Sequence, residues 1–395
     1  MLSLTNPVQP YAWGATDGVA ELVGSPPTGG PEAELWIGAH PSAPSRLADG
    51  RTLDEVLGDE AEAEALLGAD LVGRFGPRLP FLLKLLAIGS HLSVQLHPSD
   101  EQAVAGFARE EATGLDRDDP SRSYRDPYAK PEVLVAVVPT WVLAGLRTGA
   151  DAARRLREVE DPAVAGLAAL VADAPDAREA LVALVTAPEA RRAAWAAAAA
   201  ATPVSDDDPA RRWVRRLAAA QPGDPTALAP LLLTLRHLAP GDGIFLPAGV
   251  PHAYLKGAGI ELLGASDNVV RGGLTPKHVD ADELVALLAP PGTDAVPLAG
   301  EPVAPGVHRY APGVPEITLH RIDADGGWAL APAAPAGPAL ALAVGGAGDV
   351  EVGDRSVALD AGRAVLVAAG ERDGCRVRGP ATIWWATAGD PPAGA

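Results

Sequence analysis

Residues 241–277 carry the pattern that decides the fold class, GDGIFLPAGVPHAYLKGAGIELLGASDNVVRGGLTPK. Gly241, Pro247 and Gly249 enclose a short apolar run, which predicts a strand, a tight turn and a second strand. His252 follows this turn directly. We therefore expect its imidazole to face the interior of a β-sheet, just past a sharp turn.

The same segment ends in a dense group of polar residues. Asp267, Asn268, Arg271 and Lys277 supply an acid, an amide and two cations within a short stretch. A lone histidine is usually a core or surface residue. A histidine followed by this many polar groups among strands is typical of a functional site.

Further short strands are predicted on both sides of this segment. Apolar runs bounded by Gly and Pro occur at residues 80–88, 133–138, 243–246, 339–344 and 364–368. Strands of this length and spacing predict sandwiches or jelly rolls. The run Gly241–Gly249 is also similar to Gly362–Gly370, since both have glycines at each end of a short apolar strand. This repeat favours two related β-domains.

One window of the chain has a helical composition. Between Ala150 and Gln221 the only glycine is Gly166, and the residues are mostly Ala, Leu, Arg and Glu, interrupted by prolines. This composition predicts several short helices that break near the prolines, with Asp151 and Asp161 as N-caps. We predict a helical insertion at residues 148–230.

Composition and charge limit the classes of function. The chain has 395 residues, 48% of them hydrophobic, and a formal charge of −19. This excess of acid excludes a nucleic-acid or anionic-membrane partner, since both need a basic face. No apolar stretch is long enough to span a membrane, and the N-terminus lacks the pattern of a signal peptide. The single cysteine, Cys375, fits a reducing cytoplasm.

Four residues in three separate segments form a candidate metal site. Gln95 and His97 lie two apart on a strand-like run, so they point to the same face. Glu132 opens a second buried strand, and His252 follows the turn described above. Two imidazoles, one carboxylate and one amide oxygen suit zinc or another borderline divalent ion. An open coordination position would make the site catalytic.

The motifs resemble those of type I mannose-6-phosphate isomerases, zinc enzymes of the cupin fold. The resemblance begins at Pro10-Tyr11-Ala-Trp13-Gly14 and Glu34-Leu-Trp36-Ile-Gly-Ala-His40-Pro, and extends to about residue 290. The stretch His252–Lys277 fits the family signature almost throughout. The spacing from Gly241 to His252 also fits the second cupin motif.

The resemblance implies a mainly β fold with an α insertion: two cupin-like jelly-roll β-domains plus a helical domain. The implied division is a catalytic domain in two parts, residues 1–147 and 231–295, around the insertion at 148–230. A degenerate cupin-like β-domain follows at 296–395. We expect a cytoplasmic protein, and a monomer.

The resemblance also implies the residues of the site. One Zn²⁺ per chain would be held by Gln95, His97, Glu132 and His252. The implied catalytic residues are Arg271, Lys130, Asp267 and Glu261. The implied substrate-binding residues are Lys84, Ser93, Lys277 and Tyr254. Lys84 and Lys277 are candidates for the phosphate, which must be captured locally because the overall field repels it.

The implied reaction interconverts mannose 6-phosphate and fructose 6-phosphate through an enediol(ate). The proton-transfer base stays open among Lys130, Asp267 and Glu261. One departure from the family lies before Lys130, where Tyr128-Ala129 replaces the usual Asn-His. The alternatives are a different metal-dependent cupin, such as an iron oxygenase, and a non-catalytic sugar-phosphate-binding cupin.

Overall fold

The computed structural model describes residues 1–204, 207–324, 328–330, 337–360, 362–372, 374–380 and 382–390, with only the backbone at 328–330. Its strands are β1 Leu2–Thr5, β2 Val8–Gln9, β3 Ala15–Thr16, β4 Pro31–Glu32, β5 Glu34–Ile37, β6 Arg46–Leu47, β7 Phe81–Ile88, β8 Val94–Leu96, β9 Glu132–Ala136, β10 Thr140–Leu146, β11 Leu233–Leu238, β12 Asp242–Leu246, β13 His252–Gly264, β14 Val270–Gly273, β15 Val296–Ala299, β16 Glu301–Ala304, β17 Val307–Tyr310, β18 Thr318–Asp323, β19 Trp328–Leu330, β20 Ala339–Val344, β21 Gly348–Val352, β22 Arg355–Leu359, β23 Ala364–Val367, β24 Arg376–Arg378 and β25 Thr382–Thr387. The α-helices are α1 Gly18–Val23, α2 Leu53–Leu57, α3 Glu60–Leu67, α4 Ala69–Phe75, α5 Asp100–Thr113, α6 Gly149–Arg157, α7 Pro162–Val171, α8 Arg178–Thr186, α9 Glu189–Ala201, α10 Pro209–Ala220, α11 Ala229–Leu232 and α12 Ala281–Leu287. The prediction of a mainly β protein with added helices is confirmed at this level.

The five apolar runs predicted as strands are all strands. They form β7, β9, β12, β20 and β23. The two glycine-bounded repeats become β12 and β23, and each begins after a glycine in the left-handed region, Gly241 at φ 91° and Gly362 at φ 75°. This conformation is accessible to glycine at little cost, so the repeat marks two equivalent turns into a strand.

The long strand β13 is central to the first sheet. Its first residues pair with β8 and β10, and the remainder pairs with β7 and β9. The change of partner occurs at Gly257, which has a φ of 133°. A Cβ there would lie 2.4 Å from the Thr140 hydroxyl. Glycine at this position therefore allows β13 to pair first with β8 and β10 and then with β7 and β9.

The second sheet has the order β16-β17-β18-β25-β20-β23-β1-β6. Two of its strands, β1 and β6, come from the N-terminal part of the chain. Leu2 and Leu4 of β1 align with Leu366 and Ala364 of β23. A boundary at residue 296 therefore does not separate the two sheets completely, because the N-terminal strand completes the C-terminal sheet.

A buried apolar layer joins the two sheets. Leu35, Leu83 and Ile260 from the first sheet share one cluster with Leu340 and Trp384 from the second. Burial of this much apolar surface holds the sheets together. In the part of the chain that the structure describes, no helix has the length and apolarity needed to cross a membrane.

Helices α6 to α11 follow one another between β10 and β11 and form a separate core. Their apolar residues pack with Leu143 of β10 and with Ala253 and Leu255 of β13. The helices therefore pack directly against the first residues of β13. The strand that carries His252 is thus covered by helices on one face.

One of the two N-cap predictions for these helices is confirmed. Asp161 caps α7 through the Ala163 N–H at 2.8 Å. The prediction for Asp151 is wrong, because α6 begins earlier and Thr148 is its N-cap. Asp151 lies in the first turn of α6, where its carboxylate pairs with three arginines and benefits from the helix dipole.

We predict that the buried His320 makes the folded protein less stable in acid. His320 lies in β18, is 4% exposed and faces Arg309 across the β17–β18 pair. Burial, followed by the Arg309 charge, lowers the pKa of His320 from 6.5 to about 4. Between pH 6.5 and 4, His320 is protonated in the unfolded chain but not in the folded chain. The free energy of unfolding therefore decreases as pH falls through this range. At pH 5 we expect this loss to be about 2 kcal/mol.

Denaturant unfolding at pH 7 and pH 5 tests this expectation. His320→Leu should reduce the difference in unfolding free energy between the two pH values by that amount. His237→Leu, a change at an exposed histidine on β11, is the matched control and should leave the difference unaltered. An equal pH dependence in wild type and His320→Leu would contradict the assignment.

Candidate functional site

The four predicted metal ligands come together at strand ends. Gln95 lies in β8 and His97 follows it, while Glu132 and His252 begin β9 and β13. Gln95 aligns directly with His252 in the β8–β13 pair. Glu132 Oε1 lies 3.2 Å from His97 Nε2, and Glu132 Oε2 lies 3.2 Å from His252 Nε2. All three of these side chains are buried.

Backbone carbonyls fix the orientation of both imidazoles. His97 Nδ1 lies 2.7 Å from the Asn268 carbonyl oxygen, and His252 Nδ1 lies 3.0 Å from that of Val250. A carbonyl only accepts, so Nδ1 carries the hydrogen in each ring. Nε2 is then left with its lone pair, and both Nε2 atoms face Glu132. This is the arrangement by which outer hydrogen bonds orient metal-ligating histidines.

This donor set fits a metal cation. The two imidazole lone pairs and the Glu132 carboxylate repel one another unless a positive charge lies between them. His97 Nε2 is also buried, with no hydrogen-bond partner among the described residues. Burial lowers the pKa of His97 to about 4, so a proton does not supply that charge at neutral pH. Gln95 Nε2 donates to Ser93 Oγ at 3.1 Å, which leaves the amide oxygen of Gln95 free as a fourth ligand. Such N/O donors suit zinc.

Charged groups surround the ligands in the same cavity. Lys84 Nζ lies 3.2 Å from Glu34 Oε2 and 3.9 Å from Glu261 Oε2. Lys130 Nζ lies 3.3 Å from Glu132 Oε1. All five side chains line one cavity. Both lysines are therefore compensated by carboxylates, and buried charges of either sign are paired.

Glu261 is a buried carboxylate of the cavity with a raised pKa. It lies in β13 opposite Lys84 of β7, and it is buried. Burial, and then the charge of Glu132, raise the pKa of Glu261 to about 7. Tyr254 and Ser93 line the same cavity, and burial raises the pKa of Tyr254 well above its usual value. A carboxyl group that titrates near neutral pH is suited to proton transfer.

Three further cations lie together beside the ligands. Arg271 in β14 aligns with Gln95 in β8. The backbone N–H of Arg125 donates to Asn268 Oδ1 at 2.7 Å, which holds Arg125 against the loop that leads into β14. Burial, and then the charge of Arg125, lower the pKa of Arg271. Burial, and then the charges of Arg271 and Arg125, lower the pKa of Lys277.

Among the described residues none of these three cations forms a close ion pair, in contrast to Lys84 and Lys130. Arg125 does lie near enough to Asp267 for its charge to act on that carboxylate. Like charges held close without a counter-ion are unfavourable in the free protein. They favour a bound anion.

Asp267 lies on the loop between β13 and β14. Its backbone N–H donates to Asp126 Oδ2 at 2.8 Å, and its carboxylate lies 3.3 Å from His40 Nε2. The Asp267 side chain is 34% exposed and is not among those that line the cavity. Burial alone would raise the pKa of Asp267, but the hydrogen bond from His40 and nearby positive charges, among them Lys130 and Arg125, lower it.

Three charged or titratable residues escaped the sequence reasoning. Glu34 contacts Lys84, His40 contacts Asp267, and Arg125 lies near Arg271. A signal for Glu34 was present, because it is an acid at the start of an otherwise apolar strand. His40 lies in the motif that carries the family resemblance, but neither it nor Arg125 was given a role, since only the tertiary fold brings their partners to them.

The sequence matches one protein-family model, that of the phosphomannose isomerase type I catalytic domain, over residues 1–148. The mannose-6-phosphate isomerase of Salmonella typhimurium is 37% identical over 291 residues, which cover 72% of this chain and 74% of that protein. The Escherichia coli enzyme of the same name is 34% identical over 319 residues, or 79% and 81% of the two chains. The Bos taurus enzyme is 30% identical and covers 81% of each.

Solved structures with the same architecture carry the same name. A zinc-bound mannose 6-phosphate isomerase superposes with a TM-score of 0.86 and 29% identity, covering 98% of this chain and 99% of that one. A mutant phosphomannose isomerase from Salmonella typhimurium superposes with a TM-score of 0.84, covering 99% of this chain and all of the other. The likeness extends over both sheets and the helices.

Proposed function

The chain belongs to the type I phosphomannose isomerase family, and we propose that it is a zinc-dependent isomerase that interconverts mannose 6-phosphate and fructose 6-phosphate. The observation that carries this proposal is the pair of imidazole lone pairs directed at Glu132, beside a cavity lined by lysines and carboxylates. Relatives named for this activity and a zinc-bound structural neighbour support it.

The proposed reaction moves two protons and leaves the atoms otherwise unchanged. In the open-chain aldose, the proton on C2 passes to C1 and the proton on the C2 hydroxyl passes to the C1 oxygen, through an enediol(ate). One zinc ion per chain would be held by Gln95, His97, Glu132 and His252. The chemistry that it supplies when bound is Lewis-acid polarisation of the carbonyl and stabilisation of negative charge on oxygen.

The proton transfers need groups beside that metal, and we propose that Lys130, Glu261 and Asp267 share them. Glu261 fits transfer at carbon, since it lines the cavity and its pKa lies near 7. Lys130 forms an ion pair with Glu132 and lines the same cavity. Asp267 lies on the adjoining loop and stays ionised at neutral pH. Tyr254 closes one wall and orients the sugar.

The phosphate requires uncompensated positive charge. Lys84 does not meet this need, because Glu34 and Glu261 already neutralise it, so we propose that Lys84 orients the sugar portion instead. We assign the phosphate to Arg125 and Lys277, with Ser93 as an additional hydrogen-bond donor. We propose that the neighbouring Arg271 is catalytic and stabilises the negative charge that develops on the enediol(ate). A dianion relieves the mutual repulsion of these cations, which gives the site a preference for phosphorylated sugars.

We further propose the finer division of the fold. In it, two cupin-like jelly-roll β-domains flank a helical domain, with the catalytic part at residues 1–147 and 231–295, the insertion at 148–230 and the last domain at 296–395. β1 and β6 belong to the sheet of the last of these, and β15 pairs with β12 in the first sheet. We also propose a monomer in the cytoplasm, where the single buried cysteine needs no oxidising partner.

Turnover and metal dependence together test the proposed function. Purified protein is incubated with mannose 6-phosphate, and fructose 6-phosphate is followed by a coupled assay before chelation, after chelation and after zinc is added back. We expect turnover to fall by about 100-fold or more on chelation and to recover with zinc. Glucose 6-phosphate, the C2 epimer, is the control substrate and should turn over much more slowly.

Two results would contradict the proposal. Turnover that resists complete metal removal would overturn zinc dependence. No turnover with zinc bound, together with saturable binding of mannose 6-phosphate, would favour the non-catalytic sugar-phosphate-binding cupin.

A further inference from the structure

His40 is held firmly at the base of the loop that carries Asp267. It is 6% exposed, and its ring meets the edge of Trp36 at 5.0 Å with an interplanar angle of 83°. Trp36 is fixed in turn, since its indole N–H donates to Glu34 and its ring faces Lys84 Nζ at 4.3 Å. One short segment, residues 34–40, thus connects a cavity lysine to His40.

The hydrogen bonds of His40 define its tautomer. The backbone N–H of Ser42 lies 3.3 Å from Nδ1 and can only donate, so Nδ1 must carry the lone pair. The single hydrogen of the neutral ring is then on Nε2, which lies 3.3 Å from Asp267 Oδ1. His40 is therefore a fixed donor directed at Asp267.

Asp267 needs such a donor, because its loop leaves the carboxylate otherwise free to rotate. The loop itself is well anchored: the Asn268 side chain binds the backbone of Arg125 and of Tyr128, and the Asn268 carbonyl receives the Nδ1–H of the ligand His97. The backbone of residue 267 is thus tied to the metal site. Within the described residues, His40 is the one side chain that contacts its carboxylate at hydrogen-bond or ion-pair distance.

We propose that His40 is a positioning residue for the isomerase, which acts by orienting the Asp267 carboxylate towards the cavity mouth. The inference rests on the proposed function, in which Asp267 takes part in proton transfer. The Asp267 carboxylate lies near Tyr11, whose ring stacks on the cavity-lining Trp13: burial raises the pKa of Tyr11 most, then the charge of Glu34, and the charge of Asp267 adds to both. His40 therefore fixes a carboxylate that lies beside the entrance.

Two substitutions separate positioning from mere packing. His40→Gln keeps an N–H at about the place of Nε2–H, whereas His40→Leu keeps the volume and removes the donor. We expect His40→Leu to lower kcat by about 10- to 100-fold, with KM for mannose 6-phosphate and zinc content unchanged. His40→Gln should retain kcat within a few-fold of wild type. A kcat equally low in both variants would overturn the positioning role.

A double-mutant cycle tests whether His40 acts through Asp267. If it does, His40→Leu should cause no further loss of kcat in an Asp267→Asn background. Independent, additive losses would overturn the proposal, as would a wild-type kcat in His40→Leu. Wild-type protein without turnover would instead contradict the proposed function, so the two failures are distinguishable.

One measurement does not depend on activity. Nitrogen-15 NMR of the zinc-loaded wild-type protein reports which imidazole nitrogen carries the hydrogen. We expect Nε2 of His40 to carry a hydrogen, as the contacts of its two ring nitrogens imply, with the His40→Gln spectrum used for assignment. An Nδ1–H tautomer would remove the donor to Asp267 and overturn the proposal.

Discussion

Glu132→Gln is expected to lose zinc and, with it, nearly all isomerase activity. Glu132 is the single anion among the four proposed ligands, and its two oxygens each lie 3.2 Å from an imidazole Nε2. A glutamine amide at this position is neutral, and its NH₂ would donate to one of those lone pairs and occupy it. Zinc affinity should fall by roughly 100-fold or more and turnover by a similar or larger factor.

Glu34→Gln is the matched control for this substitution. Glu34 is also a buried carboxylate of the same cavity with a lysine partner, but it contacts no proposed ligand. Both variants are dialysed against a zinc buffer, and metal content is measured by mass spectrometry. Glu34→Gln should keep one zinc per chain, and added zinc should raise its Tm as it does for wild type. A full complement of zinc in Glu132→Gln would contradict the assignment of Glu132 as a ligand.

The positions of the proposed ligands at strand ends were predictable in part, because each lies beside a recognisable local feature. His252 follows a Gly-Pro turn, Glu132 opens an apolar run, and Gln95 and His97 share one face of a short strand. Turn chemistry and strand alternation are encoded locally, so the sequence alone locates such residues at sheet edges. The glycine-poor window predicted helices for the same reason.

The partners of the charged residues were not predictable in this way. The register of β5, β7 and β13 places Glu34 and Glu261 beside Lys84, and nothing in the local sequence indicates these contacts. The register between strands that are far apart in sequence depends on the whole sheet. That register determines which charged side chains lie beside each other. His40 and Arg125 escaped notice for the same reason.

The start of α6 and the membership of β1 illustrate two further limits. Asp151 is a residue type that often caps helices, but α6 begins before it and Thr148 is the N-cap. β1 lies at the N-terminus, yet the exposed edge of β23 offers it a partner at the opposite end of the chain. Competition between equally good local choices is settled by tertiary packing.

Arg271→Ala should lower kcat by about 100- to 1,000-fold while zinc is retained. Arg271 aligns with the ligand Gln95 across β14 and β8, so its guanidinium extends from the strand next to the metal site. A charge held there stabilises the anion that develops during isomerisation more than it stabilises the neutral sugar. The effect should therefore fall on kcat rather than on KM.

Arg125→Gln is the contrasting variant, because Arg125 lies on the loop after α5 and contributes charge to the proposed phosphate site. We expect KM for mannose 6-phosphate to rise by about 10-fold with kcat nearly unchanged. Both substitutions remove one member of a group of like charges that forms no close ion pair among the described residues. Tm of the substrate-free protein should therefore stay the same or rise, which excludes unfolding as the cause of lost activity. A loss confined to KM in Arg271→Ala would assign Arg271 to phosphate binding instead.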